Sequence, residues 1–158
     1  MLMSITFMDL DNFKYYNDTY GHDIGDLMIE SFGKLLKKVY RRVDFVSRYG
    51  GDEFVILLPS TNCQESVRAA ERVKEELVAQ NYFIPAIEEA VKHPVHIPPD
   101  KYLGFSTGIC SNFDVEPNYD MERTMANADK ALYYTKEHNK GGITIWLDIK
   151  DKIEGNCE

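Results

Sequence analysis

Apolar residues recur along the chain in two rhythms, one suited to strands and one to helices. Residues 3–8, MSITFM, are a short apolar run ending at Asp9, the profile of a strand buried on both faces. A polar stretch follows, DLDNFKYYNDTYGHDIGD. From Asp23 the spacing changes. Ile24, Leu27, Met28, Phe32, Leu35, Leu36 and Val39 fall at three- and four-residue steps, which predicts an amphipathic helix to about Tyr40. Residues 44–49 and 52–58 flank Gly50-Gly51 and predict a β-hairpin, because paired glycines supply the positive φ of a tight turn. Pro59-Ser60-Thr61-Asn62 closes the second strand and offers caps for a helix. Val67, Ala70, Val73, Leu77 and Val78 carry that helix to about Gln80.

The pattern weakens over residues 81–101. Pro85, Pro94, Pro98 and Pro99 leave room for a turn or two of helix inside an irregular excursion. Order returns with a strand at 102–109, a helix at 120–138 with Met121, Met125, Ala128 and Leu132 inward, and a strand at 143–148. The tail from Lys150 is polar and expected to fray. Strands mixed with helices, one hairpin included, predict an α/β sandwich (α+β). A central mixed, mostly antiparallel sheet is flanked by helices on a ferredoxin-like plan. Residues 1–149 form one domain and 150–158 its tail.

Composition narrows the partners. The chain has 18 Lys and Arg against 26 Asp and Glu, a net charge of −8, which argues against general affinity for nucleic acid or anionic membranes. A small polyanion arriving with a metal ion is still compatible, since the ion's charge dominates locally. Cys63, Cys110 and Cys157 are far apart and odd in number, so no disulfide framework or zinc pattern is expected and a reducing cytoplasm fits. No apolar run reaches the roughly 18–20 residues of a membrane span. The start, MLMSITFMDLD, lacks the basic flank and cleavage site of a signal peptide.

The chemistry lies in the carboxylates. Asp52 and Glu53 stand side by side between two glycines and an apolar strand, and like charges so placed call for a cation or a solvent-facing task. Asp9 ends the first strand. If the two strands are neighbours, three carboxylates converge at one sheet edge. Hard oxygen ligands of this kind suit Mg²⁺ or Mn²⁺, and magnesium is usually shared with substrate phosphates, which points to a nucleotide. Spacing alone divides evenly between this reading and two plain polar turns.

Three motifs in order change that balance. FMDLDNFKYYNDTYGHDIGD, then SRYGGDEF, then ANADKALYYTKEHNKG resemble the GGDEF family of diguanylate cyclases over about residues 4–147. The resemblance implies a palm-like nucleotide-cyclase fold and the condensation of two GTP into cyclic di-GMP with release of pyrophosphate. It implies that Asp9, the Leu10 carbonyl, Asp52 and Glu53 bind metal, that Asp52 accepts the proton with Glu53 as a further candidate base, and that Lys14 contacts phosphates. Lys136 and Lys140, four residues apart on one helix face, would reach one phosphate tail. The family often has Arg at the second position, and lysine keeps the charge but loses the bidentate fork. Asn17 and Asp26 match guanine readers, with His22 between them and Gly21 and Gly25 letting the backbone approach. Arg41-Arg42-Val43-Asp44 matches an inhibitory R-x-x-D site for cyclic di-GMP, with Arg72 and Arg48 as further contacts.

The resemblance also implies a head-to-head homodimer and an upstream sensor domain. A family segment that precedes the first strand has no counterpart before Met1, so one face of the sheet is expected to lack a helix. The alternatives are a non-catalytic module that senses cyclic di-GMP or GTP, and a fragment that binds GTP without turnover.

Overall fold

In the computed structural model, which describes residues 1–79, 82–115 and 120–154, five strands form one sheet in the order β2-β3-β1-β4-β5. The elements run β1 (Met3–Asp11), α1 (Phe13–Tyr20), α2 (His22–Val39), β2 (Phe45–Gly50), β3 (Glu53–Pro59), α3 (Cys63–Ala79), α4 (Ile84–Val91), β4 (Gly104–Ser111), α5 (Met121–His138), β5 (Ile143–Ile145) and α6 (Trp146–Glu154). All pairings are antiparallel except β4 with β5. The mixed, mostly antiparallel sheet agrees with the expectation. No helix among the described residues is long and apolar enough to cross a membrane.

Alternation along β1 explains the two layers. Met8 and Leu10 point into a core with Ile24, Met28 and Phe32 of α2, Phe54 and Ile56 of β3 and Ala70 and Val73 of α3. Phe32 lies edge-on to Phe54 with centroids 5.2 Å apart. Ile5 and Phe7 point the other way, toward Ala128, Ala131 and Leu132 of α5 and Trp146 and Ile149 of α6. Both faces therefore carry helices. The uncovered part is local: Phe45 and Tyr49 of β2 are 62% and 59% exposed, beside Val43.

Several boundaries moved, each for a physical reason. The stretch after β1 is helical as α1, because Phe13, Tyr16 and Tyr20 repeat at three and four residues and Tyr16 is buried. Trp146 does not extend the last strand. It opens α6, where Trp146, Ile149 and Ile153 form one apolar stripe, so the tail is helical to Glu154 rather than frayed. Met121 is exposed, and Thr124 and Thr135 take inward positions on α5 instead. The α3 helix begins at Cys63 because Asn62 and Glu65 form a reciprocal cap, each accepting the other's backbone N–H. The excursion is a packed element: Phe83, Ile87 and Ile97 are buried in the α2 core, and the Tyr82 hydroxyl donates to the Ser31 carbonyl. Gln80 and Cys157 lie outside the described residues.

Helix α5 lies unusually deep on the sheet. A Cβ on Gly108 of β4 would stand 2.1 Å from the Leu132 nitrogen and 2.3 Å from the Ala128 carbonyl oxygen, both backbone atoms that cannot step aside. Thr135 then bonds to the Thr107 carbonyl at 2.8 Å and to the Thr144 hydroxyl at 2.7 Å. Gly108→Ala is therefore expected to cost at least about 1–3 kcal/mol, the usual penalty of overpacking. Urea unfolding followed by circular dichroism measures it, and a midpoint equal to the parent's would refute the close contact.

Candidate active site

The antiparallel pairing of β1 with β3 sets Asp9 opposite Glu53. The Leu10 N–H donates to the Asp52 carbonyl at 3.2 Å, which pins the hairpin turn to the end of β1. The turn itself needs only one left-handed glycine. Gly51 has φ +48°, while Gly50 closes β2 at a register shift after Arg48. The two glycines therefore do different jobs.

The Asp9 carboxylate is buried and accepts a hydrogen bond from the Lys136 ammonium. Its other oxygen, Oδ1, is buried with no partner. Burial, opposed by the Lys136 bond and reinforced by the neighbouring Asp52 carboxyl, pushes the Asp9 pKa up to about 7. Asp9 in the fold thus sits above its unfolded value of 3.8, so it weakens the fold as pH rises from about 4 to about 7. A cation beside Asp9 would reverse that effect. An orphaned, charge-frustrated carboxylate oxygen next to a second carboxylate is a donor set that fits a hard divalent ion.

Three carboxylates do not, however, close into a cage. No group of three or more His, Cys, Asp or Glu among the described residues stands close enough to hold a metal. Asp9 and Asp52 adjoin, and Glu53 flanks them, its pKa raised by burial and then by Asp129. The Lys136 ammonium supplies the neutralising charge at Asp9, and its own pKa reflects a contest. Burial lowers it, but the bond and charge of Asp9, with Asp52 and Asp11, raise it overall.

Asp11, the last residue of β1, accepts from the Ser106 hydroxyl at 2.9 and 3.0 Å, and Ser106 accepts from the Gly141 N–H at 2.9 Å. Gly141, with φ +86°, also gives its carbonyl to Lys74 at 2.7 Å. These bonds fix the turn after α5, where Lys140 stands. The helix ends at His138, so Lys136 and Lys140 do not share a helix face as their spacing suggests. Lys136 reaches Asp9, and Lys140 donates to Asn12 Oδ1 at 3.2 Å. Sequence reasoning passed over Asn12, Ser106 and Gly141, because an ordinary polar residue or glycine carries no signal until topology gathers them.

Helices α1 and α2 bring the remaining candidates. Lys14, His22 and Asp26 are exposed and Asn17 is half-buried. Gly21 joins the helices at φ +94°, and Gly25 lets Asn17 lie against α2, since a Cβ there would stand 2.1 Å from Asn17 Oδ1. The missing Cβ at Gly25 thus makes room for a side chain. Neither Cys63 nor Cys110 offers a nucleophile, because burial, with Asp114 beside Cys63 and Cys63 itself beside Cys110, pushes both thiols up, Cys63 to about 12.

A second cluster lies at the other end of β3. Arg41 and Asp44 pair at 2.7 Å, and Arg41 also donates to the Pro59 carbonyl and the Thr61 hydroxyl. With Glu65, Arg68 and Arg72 they line a cavity of about 310 Å³. Arg48 is elsewhere: its Nε donates to the Gly51 carbonyl at 2.9 Å, across the hairpin turn, and it does not line this cavity.

Comparison with known proteins agrees with this architecture. The family model for the diguanylate cyclase GGDEF domain matches residues 1–142. Diguanylate cyclase A of Treponema denticola is 33% identical over 144 residues, 90% of this chain and 35% of that protein. The chain thus spans about a third of the length of that relative. Among solved structures, the active GGEEF domain of a diguanylate cyclase from Vibrio cholerae has a TM-score of 0.71 at 26% identity, covering 92% of this chain and 83% of that one. The GGDEF domain of DgcB from Caulobacter crescentus, solved with c-di-GMP, has a TM-score of 0.73 at 22% identity, over 92% of this chain and 78% of that one. With its family model matched almost end to end and the GGDEF signature seated on the β2–β3 turn beside Asp9, the chain belongs to the GGDEF family.

Proposed function

We propose that this domain is a diguanylate cyclase that condenses two GTP into cyclic di-GMP with release of pyrophosphate. The observation that carries the reading is the buried Asp9 carboxylate, one oxygen unpartnered, beside Asp52 and under the Lys136 ammonium. Asp9, Asp52, Glu53 and the Leu10 carbonyl are the groups that would hold Mg²⁺, or Mn²⁺ in its place. When bound, such an ion supplies positive charge to the phosphates and the attacking hydroxyl.

The chain's own groups have separable tasks. Asp52, in the turn, takes the proton from a 3′-hydroxyl, with Glu53 beside it as an alternative acceptor. The new bond joins that oxygen to the α-phosphorus, and the α–β bridge breaks to free pyrophosphate. Lys14, Lys136 and Lys140 meet the charge of the phosphates and of the leaving group. Asp26 accepts from guanine N1–H and the N2 amino group, a donor pair that adenine lacks, and Asn17, held in place beside Gly25, completes the base contact with His22 near by. One chain offers one such edge. Joining two nucleotides reciprocally calls for a second copy facing the first, hence a homodimer. The reading also places the domain in the cytoplasm, where GTP is supplied, under the control of a sensor domain.

The cavity around Arg41 supports a separate task, binding of the product. Three arginines meet there in a chain of net charge −8, and guanidinium forks suit phosphate and guanine edges. Arg41 already spends donors on Asp44, so a ligand must share or replace that pair. Arg41 and Asp44 lie about 20 Å from the Asp52 turn, taking the rise of a strand over β3. Product bound there restrains the domain rather than competing with GTP.

Incubation with GTP and Mg²⁺, followed by chromatography, tests the activity directly. Asp52→Asn is expected to lower cyclic di-GMP formation by at least about 10²-fold, the lower range for a positioned base. A rate within a factor of about two of the parent would sink the assignment. Asp26→Ala should weaken GTP binding in calorimetry by about 1–3 kcal/mol for the unpaired donors and narrow the preference over ATP, and equal affinity would reduce Asp26 to a helix-start charge. Arg41→Ala should abolish binding of cyclic di-GMP at micromolar ligand while GTP affinity holds. Parent protein that ignores cyclic di-GMP defeats the product site.

A further inference from the structure

We infer that Asn12 is a positioning residue: it latches the excursion at residues 100–102 to the start of α1 and holds Lys140 where a nucleotide's phosphates would lie. The inference rests on the reading of this edge as a GTP site. Asn12 sits between β1 and α1 with φ 66° and ψ 13°, a left-handed conformation that asparagine tolerates better than most residues. Its Nδ2 donates to the Asp100 carbonyl at 3.3 Å and the Tyr102 carbonyl at 3.0 Å. Its Oδ1 accepts from Lys140 Nζ at 3.2 Å. Only one orientation of the amide serves these partners, because two carbonyls need N–H and an ammonium needs oxygen.

The segment that receives those bonds is anchored on its own account. Ile97 is 3% exposed, and the Val95 N–H donates to Glu88 at 3.1 Å. Between Asp100 and Tyr102, the Lys101 carbonyl accepts from the Tyr16 hydroxyl at 2.8 Å, one turn further along α1. Three successive carbonyls of the excursion thus face the α1 side. Pro98 and Pro99, which lack N–H groups, lead into the 3₁₀ turn that presents them.

Lys140 needs such a partner. It stands past the end of α5, in the turn closed by Gly141, and its ammonium is a point charge on a flexible stem without the fixed fork of an arginine. Asn12 Oδ1 gives that charge a defined place beside Asp11 and the first residues of α1, where Lys14 begins. The excursion therefore reaches the site through one amide.

Calorimetric titration with GTP, on a double-mutant cycle, tests the link. Asn12→Gly keeps the left-handed backbone and removes the amide. It is expected to weaken GTP binding about five- to tenfold, the upper range for one ordinary, solvent-exposed hydrogen bond, and to leave guanosine binding unchanged. In a Lys140→Met background the same change should add nothing. A full additive loss in the double variant, or equal affinity in Asn12→Gly, overturns the inference. Asn12→Asp, which keeps an acceptor but offers no donor to the carbonyls, should match Asn12→Gly in speeding amide exchange at Lys101 and Tyr102, and unchanged exchange breaks the tie to the excursion. Parent protein that binds no GTP overturns the reading of the edge itself, and this inference with it.

Discussion

The close approach of α5 to β4 at Gly108 is the constraint on which the rest of the structure depends. With only hydrogen at that position, the helix backbone at Ala128 and Leu132 can rest directly on the strand. Thr135 then reaches the Thr107 carbonyl and Thr144, which fixes both the rotation and the slide of the helix. Lys136 is the next residue, turned by about 100° at 3.6 residues per turn, and that rotation carries its ammonium over Asp9. A side chain at residue 108 would lift the helix and move that ammonium away from the carboxylate. Packing far inside the sheet therefore sets charge geometry at its edge.

The strand-and-helix plan was legible because its apolar periods are long: α2, α3 and α5 each repeat over four or more turns, β3 is a nearly continuous apolar run, and β1 is largely apolar and buried along its length. The elements that escaped are short and rich in tyrosine or tryptophan. In α1 the apolar stripe is Phe13, Tyr16 and Tyr20, and the tyrosine hydroxyls make the segment look like a loop. In α6, Trp146 follows the β-branched run ITI, and two-residue alternation competes with the stripe to Ile149 and Ile153. Four prolines masked the excursion, although Phe83, Ile87 and Ile97 are spaced to pack once the α2 face is present.

Much of the candidate site was visible for a different reason. Asp9, Asp52 and Glu53 are carboxylates in places where a turn alone would not require them, and the pairing of β1 with β3 brings them to one edge. What sequence could not supply was their mutual distance and the company they keep. The Asp9–Lys136 bond spans 127 positions, and the Asn12–Lys140 bond spans 128. Four-residue spacing placed Lys136 and Lys140 on one helix, yet the helix stops between them. Arg48, expected as a further contact to the Arg41 cluster, does not reach it, since β2 carries it to the far end of the hairpin.

The Lys136 ammonium already at Asp9 means that a cation binding there, as proposed, would do so by exchange. Such a cation would displace an internal one, so its affinity would be the difference between two favourable contacts and not the whole of either. The displaced ammonium, tethered to α5, would stay within reach, free to turn toward whatever negative charge enters with the newcomer. A bare ion thus gains less than an ion that brings its own anion, because only the pair leaves every charge at the edge matched. Exchange of this kind would favour metal and anion arriving together and would let both leave readily once the anion is gone.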